Sequence, residues 1–189
     1  MLLLAILSFA AVAVAIPATS LEKRACKSAY PTQHFQLIST DKQHNTKNHD
    51  IVVTGISGET EYVTELHWDG FAAGSYGCRL QLFFPKDGSG RLQTNPNNHK
   101  LNFWTVNRTV DVELDNWDNH PGKVSLVGTA DVQILKPYQE DTVIEVASSG
   151  CPAAGLDYRV EIEKSGGQKE GFVQFWQENG AGLRVLYDC

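Results

Sequence analysis

LDYRVEIEK, Leu156 to Lys164, is the stretch from which the fold can be read. Leu156, Tyr158, Val160 and Ile162 alternate with Asp157, Arg159, Glu161 and Glu163. Successive side chains of an extended strand point to opposite faces, so the pattern predicts a half-buried strand with the first set inward and the charged set outward. VSLVGTADVQIL, Val124 to Leu135, repeats it, with Val124, Leu126, Ala130, Val132 and Ile134 expected inward and Ser125, Thr129, Asp131 and Gln133 outward. HDIVVTGI, EYVTELHW, CRLQLFF, LNFWTVN, DTVIEVA, FVQFWQE and LRVLYD are further strand candidates. KDGSG, TNPNN, NHPG, KSGGQ and ENGAG, rich in the residues that tolerate turn geometry, separate them. No long stretch carries helical periodicity. Roughly ten short strands with regular turn signals predict an all-β protein, an antiparallel sandwich or jelly roll in one domain.

The amino terminus reads as an address. LLLAILSFAAVAVAIPA, starting at Leu2, has Ser8 as its lone polar side chain, and Ala13-Val14-Ala15 supplies a small-x-small cleavage pattern. A run of roughly 15 apolar residues is short for a membrane span, which needs roughly 20. Residues 1–15 are therefore expected to be a signal peptide. Residues 16–24, IPATSLEKR, are expected to be a propeptide ending in the dibasic pair Lys23-Arg24, the mark of a fungal-type processing protease. The mature domain would then be 25–189, secreted and extracellular, with no membrane span.

Removing residues 1–24 takes Lys plus Arg from 16 to 14 and Asp plus Glu from 22 to 21, so the net charge moves from −6 to −7. Phosphate-backbone binding depends on clustered Lys and Arg, so nucleic acid is not an expected partner. Cys26, Cys78, Cys151 and Cys189 form an even set without C-x-x-C spacing, which in a secreted chain predicts disulfides. Three connectivities are open. Domain termini often lie close together, which favours Cys26–Cys189 with Cys78–Cys151.

GFAAGSYGCRLQLFFP, from Gly70 to Pro85, and SSGCPAAGLDYRVEIEKSGGQKEGFVQFWQENGAGLRVLYDC, from Ser148 to Cys189, resemble the fungal family called the But-two C-terminal domain. The resemblance covers about residues 34 to 189 and is strongest at Cys78 to Pro85, at Cys151-Pro152 with Gly155, and at Phe172 to Tyr187. It implies a secreted stand-alone domain without an established molecular function. The family's namesake binds the Uba-three subunit of a ubiquitin-like-activating enzyme, an intracellular partner that a secreted chain would not meet. The shared residues are core and turn residues, which specify a fold better than a chemistry.

The chain lacks G-x-S-x-G, H-E-x-x-H and phosphate-loop motifs, and no catalytic residue or cofactor is expected from it. GISGE, Gly55 to Glu59, reads as a turn. Four of the six histidines (His34, His44, His49, His67, His99 and His120) sit in hydrophilic loops. DVELDNWDNHPG groups Asp111, Glu113, Asp115 and Asp118, oxygen ligands of the kind calcium takes, but without EF-hand spacing. A solvated edge with Val110, Val112 and Leu114 facing inward is the better reading of that segment. A glycosidase needs two carboxylates across the scissile bond; Asp69, Asp115, Asp118 and Glu178 are the nominal candidates. Trp176 shares a face with Gln174 and Glu178, opposite Val173 and Phe175, and Trp117 lies among Asp and Asn, so both indoles are candidates for a binding surface. Asn107 in NRT is a glycosylation acceptor. Three functions follow in order: a non-catalytic binding domain at the cell wall or a host surface, with a polysaccharide or a host or cell-surface protein as partner; a carbohydrate-active enzyme; and a structural wall protein.

Overall fold

A computed structural model describes residues 25–47, 50–133, 140–164, 170–178 and 180–189. Lys23, Arg24, His49, Ile134 and most of the KSGGQ turn lie outside the described residues. Within them the chain is all-β, and every strand pairing is antiparallel. The strands are β1 (Lys27–Ala29), β2 (Gln33–Ile38), β3 (Asp41–Asn45), β4 (Ile51–Ser57), β5 (Thr60–Trp68), β6 (Cys78–Phe84), β7 (Gln93–Thr94), β8 (Lys100–Val106), β9 (Lys123–Asp131), β10 (Thr142–Ser149), β11 (Leu156–Ile162), β12 (Gly171–Trp176) and β13 (Gly182–Tyr187). One sheet runs β1-β13-β6-β10; the other runs β7-β12-β4-β5-β11-β8-β9, with β2 on β5 and β3 on β2.

The sheets pack as a sandwich because each presents an alternating apolar face to the other. Leu80, Leu82 and Phe84 of β6 and Leu183 and Val185 of β13 meet Leu66, Trp68, Leu101, Phe103, Tyr158, Val160, Ile162, Val173 and Phe175 in one core. A fully buried Leu or Phe contributes about 1.5–3 kcal/mol, so this interior is the main source of stability. The disulfides Cys26–Cys189 and Cys78–Cys151, with Cα atoms 4.3 and 5.3 Å apart, join the two ends of the described chain and pin the end of β6 to the segment after β10. The connectivity favoured by terminal proximity is the one formed.

The outer face of the large sheet departs from the expectation. Opposed residues in register share a face, so Gln33, Phe35 and Leu37 of β2, Val63, Glu65 and His67 of β5, and Asp157 and Arg159 of β11 all lie on this side. Residues 107–122 fold across it. Val110, with half-buried Val106, Val112 and Trp117, closes over Phe35, Leu37 and Val63 as a second apolar cluster. Arg159 and Glu161, expected outward in solvent, are consequently buried. Segment 110–116 is not an extended edge: Asp115 N–H donates to Asp111 O at 2.8 Å, winding the chain into a turn. Leu114, expected inward, is thereby thrown into solvent at 63% exposure.

The second departure is in β9. Phe103 pairs with Gly128 but Trp104 with Leu126, leaving Val127 as an extra, bulged residue. A bulge reverses the alternation beyond it. Ala130 and Val132 point inward as expected, whereas Leu126 is 47% exposed, and a further slip between Thr105 and Val106 leaves Val124 unpaired and 63% exposed.

Candidate functional site

A bulge in β10 faces the one at Val127. In β10 the register slips between Glu145 and Ala147, so Val146 is unpaired against β6. Its carbonyl presses on Gly128 of β9 so closely that a Cβ there would lie 2.1 Å from the oxygen. Only glycine permits that approach. β9 and β10 are the terminal strands of their sheets, so this contact draws the sandwich together along that side. Beyond it the sheets part, leaving a groove of about 600 Å³ lined by residues of β8 through β11. Bulged Val127 and Thr105 form one wall, Ala147 to Pro152 the other, and Leu156 and Tyr158 the floor. No lining residue carries a charge. Tyr158 is held edge-on by Trp68, with ring centroids 6.0 Å apart. Burial raises its phenol above the ordinary tyrosine value, although the hydrogen bond with Ser149 opposes the shift. The phenol therefore stays protonated.

The residues under the 107–122 cover form a charged cluster of a different character. Asp115, 1% exposed, takes Arg108 Nη2 at 2.6 Å and Asp111 N–H at 2.8 Å. Asp157 accepts Val110 N–H at 2.9 Å, and Gln33 accepts Val112 N–H at 3.0 Å. Arg159 bridges Glu161 at 2.8 Å and His120 at 2.8 Å. Burial, then the charge of Arg159, lowers His120 below the ordinary imidazole range, so it meets the guanidinium as a neutral ring. Burial pushes Glu161 upward, but the hydrogen bond from Lys123 and the charge of Arg159 outweigh it and hold the carboxylate ionised. Glu65 is fully buried and neither of its oxygens has a hydrogen-bond partner. Burial, reinforced by the negative charge of Asp115, pushes it up to about 8. At neutral pH it is a carboxylic acid.

Comparison with known protein families and with curated proteins returns no match.

The acidic segment thus serves as a clasp, and its carboxylates are engaged separately. Asp111 accepts Glu113 N–H at 2.9 Å, Glu113 pairs with Lys47 at 2.7 Å, and Asp118 accepts Gln43 at 3.3 Å. Among the described residues no group of three metal-ligating side chains is assembled. Of the glycosidase candidates, Asp69 lies 3.5 Å from His67, and Glu178 lines a recess of about 210 Å³ with Tyr30, His34 and Gln177. Neither that recess, nor the groove, nor the one beside Tyr76 and Asp188 is lined by two of those four carboxylates.

Both candidate indoles are half-buried. Trp117 packs on the second apolar cluster and meets His120 edge-on at 6.5 Å, while the Arg91 guanidinium covers Trp176 at 5.1 Å. Val173 and Phe175 are buried on the opposite side of β12 from Trp176, as its alternation implies. Asn107 is exposed, and its Oδ1 accepts Gly122 N–H at 2.9 Å, which leaves the amide nitrogen side for a glycan.

Sequence reasoning missed Glu65 and the groove. For Glu65 the one signal was apolar Val63 on the same face of EYVTELHW, two residues before the carboxylate, which hints that this face too is covered. For the groove it was Gly128, a glycine inside an otherwise alternating strand, which often marks a bulge or a close backbone approach.

Proposed function

We propose that this chain is a secreted, non-catalytic binding domain of the But-two C-terminal domain type, acting at a fungal cell wall or a host surface. Residues 1–15 are its signal peptide, 16–24 a propeptide removed after Lys23-Arg24, and Asn107 carries a glycan. Two disulfides suit an oxidising compartment, and among the described residues no helix is long and apolar enough to cross a membrane. The observation that carries the reading is the groove between β9 and β10: two opposed bulges and a glycine contact build a concave, uncharged recess on an otherwise charged, disulfide-pinned sandwich. Ligand sites are typically such recesses, apolar with a few placed polar groups. Its partner is a component of the wall or of the host surface.

The test is retention of the secreted protein on insoluble wall polysaccharides and on immobilised host-tissue extract. Saturable retention that Ser149→Trp, a substitution at the groove's exposed rim on the face shared with Cys78, weakens without lowering the melting temperature supports the proposal. No retention on either material refutes it, and retention indifferent to Ser149→Trp removes the groove from it.

A further inference from the structure

The construction of the groove says what it takes. Two bulges in terminal strands, Val127 in β9 and Val146 in β10, oppose each other across the gap. A bulge re-aims side chains locally, and bulges are over-represented beside functional sites. Here the β9 bulge turns Val127 into the groove. Without it the wall would lose that apolar side chain and Leu126 would not face solvent. The Val146 carbonyl seated on Gly128 fixes the spacing at the closed end, and the Cys78–Cys151 disulfide ties the far wall to β6.

The lining is selective by charge. The chain carries 16 Lys and Arg and 22 Asp and Glu, yet the groove walls offer only Thr, Val, Ala, Ser, Gly, Cys, Pro, Leu and Tyr. An ion entering such a recess surrenders hydration with no opposite charge to replace it, a cost of several kcal/mol. A polyhydroxylated chain surrenders many water hydrogen bonds against few partners. Thr105 Oγ1 is already engaged with Ser125 Oγ at 2.8 Å. That leaves mainly the hydroxyls of Tyr158 and Ser149, which hydrogen-bond to each other and keep only part of their capacity for a ligand. A volume of about 600 Å³ matches a drug-sized molecule.

We propose that this groove binds an uncharged, largely apolar small molecule, which inserts between the sheets against Val127, Ala147 and Leu156 and places its polar end on the Tyr158 and Ser149 hydroxyls. The inference rests on the binding-domain reading and selects, among components of a wall or host surface, the small apolar ones in place of polysaccharide chains.

The probe is Nile red, a neutral apolar dye whose emission rises on leaving water, titrated into the secreted protein with both disulfides intact. The expected result is saturable, single-site enhancement, with affinity reduced at least tenfold by Ala147→Trp and by Ser149→Trp at unchanged melting temperature. Should Ala147→Trp fail to fold, the rim substitution Ser149→Trp carries the test alone. No enhancement, or enhancement untouched by a folded groove variant, overturns the inference. Displacement of the dye by a soluble glucan oligosaccharide also overturns the ligand class. Those outcomes are distinct from loss of wall or host-tissue retention, which bears on the binding-domain reading itself.

Discussion

Replacing Glu65 by Gln tests the reasoning about the covered face most directly. The unionised acid is uncharged beside the Asp115 carboxylate, and a Gln amide of nearly the same shape is uncharged there at every pH. In the unfolded chain Glu65 ionises near 4.5, and in the folded chain near 8. Below 4.5 both states hold the proton and the site is neutral to stability. Between 4.5 and about 8 the folded state holds a proton that the unfolded state has lost, so stability falls as pH rises; above about 8 the loss is complete. That interval, at about 1.4 kcal/mol per pH unit, corresponds to on the order of 5 kcal/mol. Glu65→Gln should remove this loss. Wild type and variant should be close in stability near pH 4.5, and the variant should become more stable by several kcal/mol at pH 8.5. Urea unfolding of both proteins at intervals across that range, disulfides intact, reads the difference, and subtraction removes the carboxylates and histidines common to both. A difference that does not change with pH, or one that narrows as pH rises, would show that Glu65 is ionised in the fold and that its burial has been misjudged.

Gly128→Ala should destabilise the protein by about 1–3 kcal/mol, the usual cost of overpacking, because the added carbon meets the Val146 carbonyl; a thermal melt equal to wild type would mean that β9 and β10 do not touch. Trp117→Ala should cost about 2 kcal/mol, below the 3–5 typical of a fully buried Trp, since the indole is half-buried on the second cluster; chemical denaturation showing no loss would place it outside that cluster. N-terminal sequencing of protein secreted from a host with a dibasic protease should begin at Ala25, and a dominant start at Ile16 or Met1 contradicts the processing. No thiol should titrate in denaturant, and Cys78→Ser should cost roughly 4 kcal/mol on the chain-entropy account and sharply lower secreted yield; an unchanged yield and melting temperature would argue that the Cys78–Cys151 bridge contributes little.

By itself the sequence determined the local structure, because period-two alternation depends only on neighbours along the chain. LDYRVEIEK and FVQFWQE form the strands their patterns predict, with Tyr158, Val160, Ile162, Val173 and Phe175 inside. The even cysteine count predicted the bridges, and the proximity of domain ends their connectivity. β3, DKQHN, was not legible at all: its side chains are polar and mostly exposed, and its strand character comes from pairing with β2. Tertiary structure alone decided which faces are covered twice. Alternation says that Arg159 and Glu161 share a side of β11; it does not say that residues 107–122 return across that side and bury them, and with them Glu65. A bulge likewise has no period. Val127 and Val146 become extra residues only because their partner strands impose a register, and the groove exists because two such slips in terminal strands face one another across the sandwich. Ionisation follows the same logic, since a carboxyl group's pKa depends on the water and charges around it: Glu65 keeps its proton because it is buried beside the charge of Asp115 and no donor reaches its oxygens.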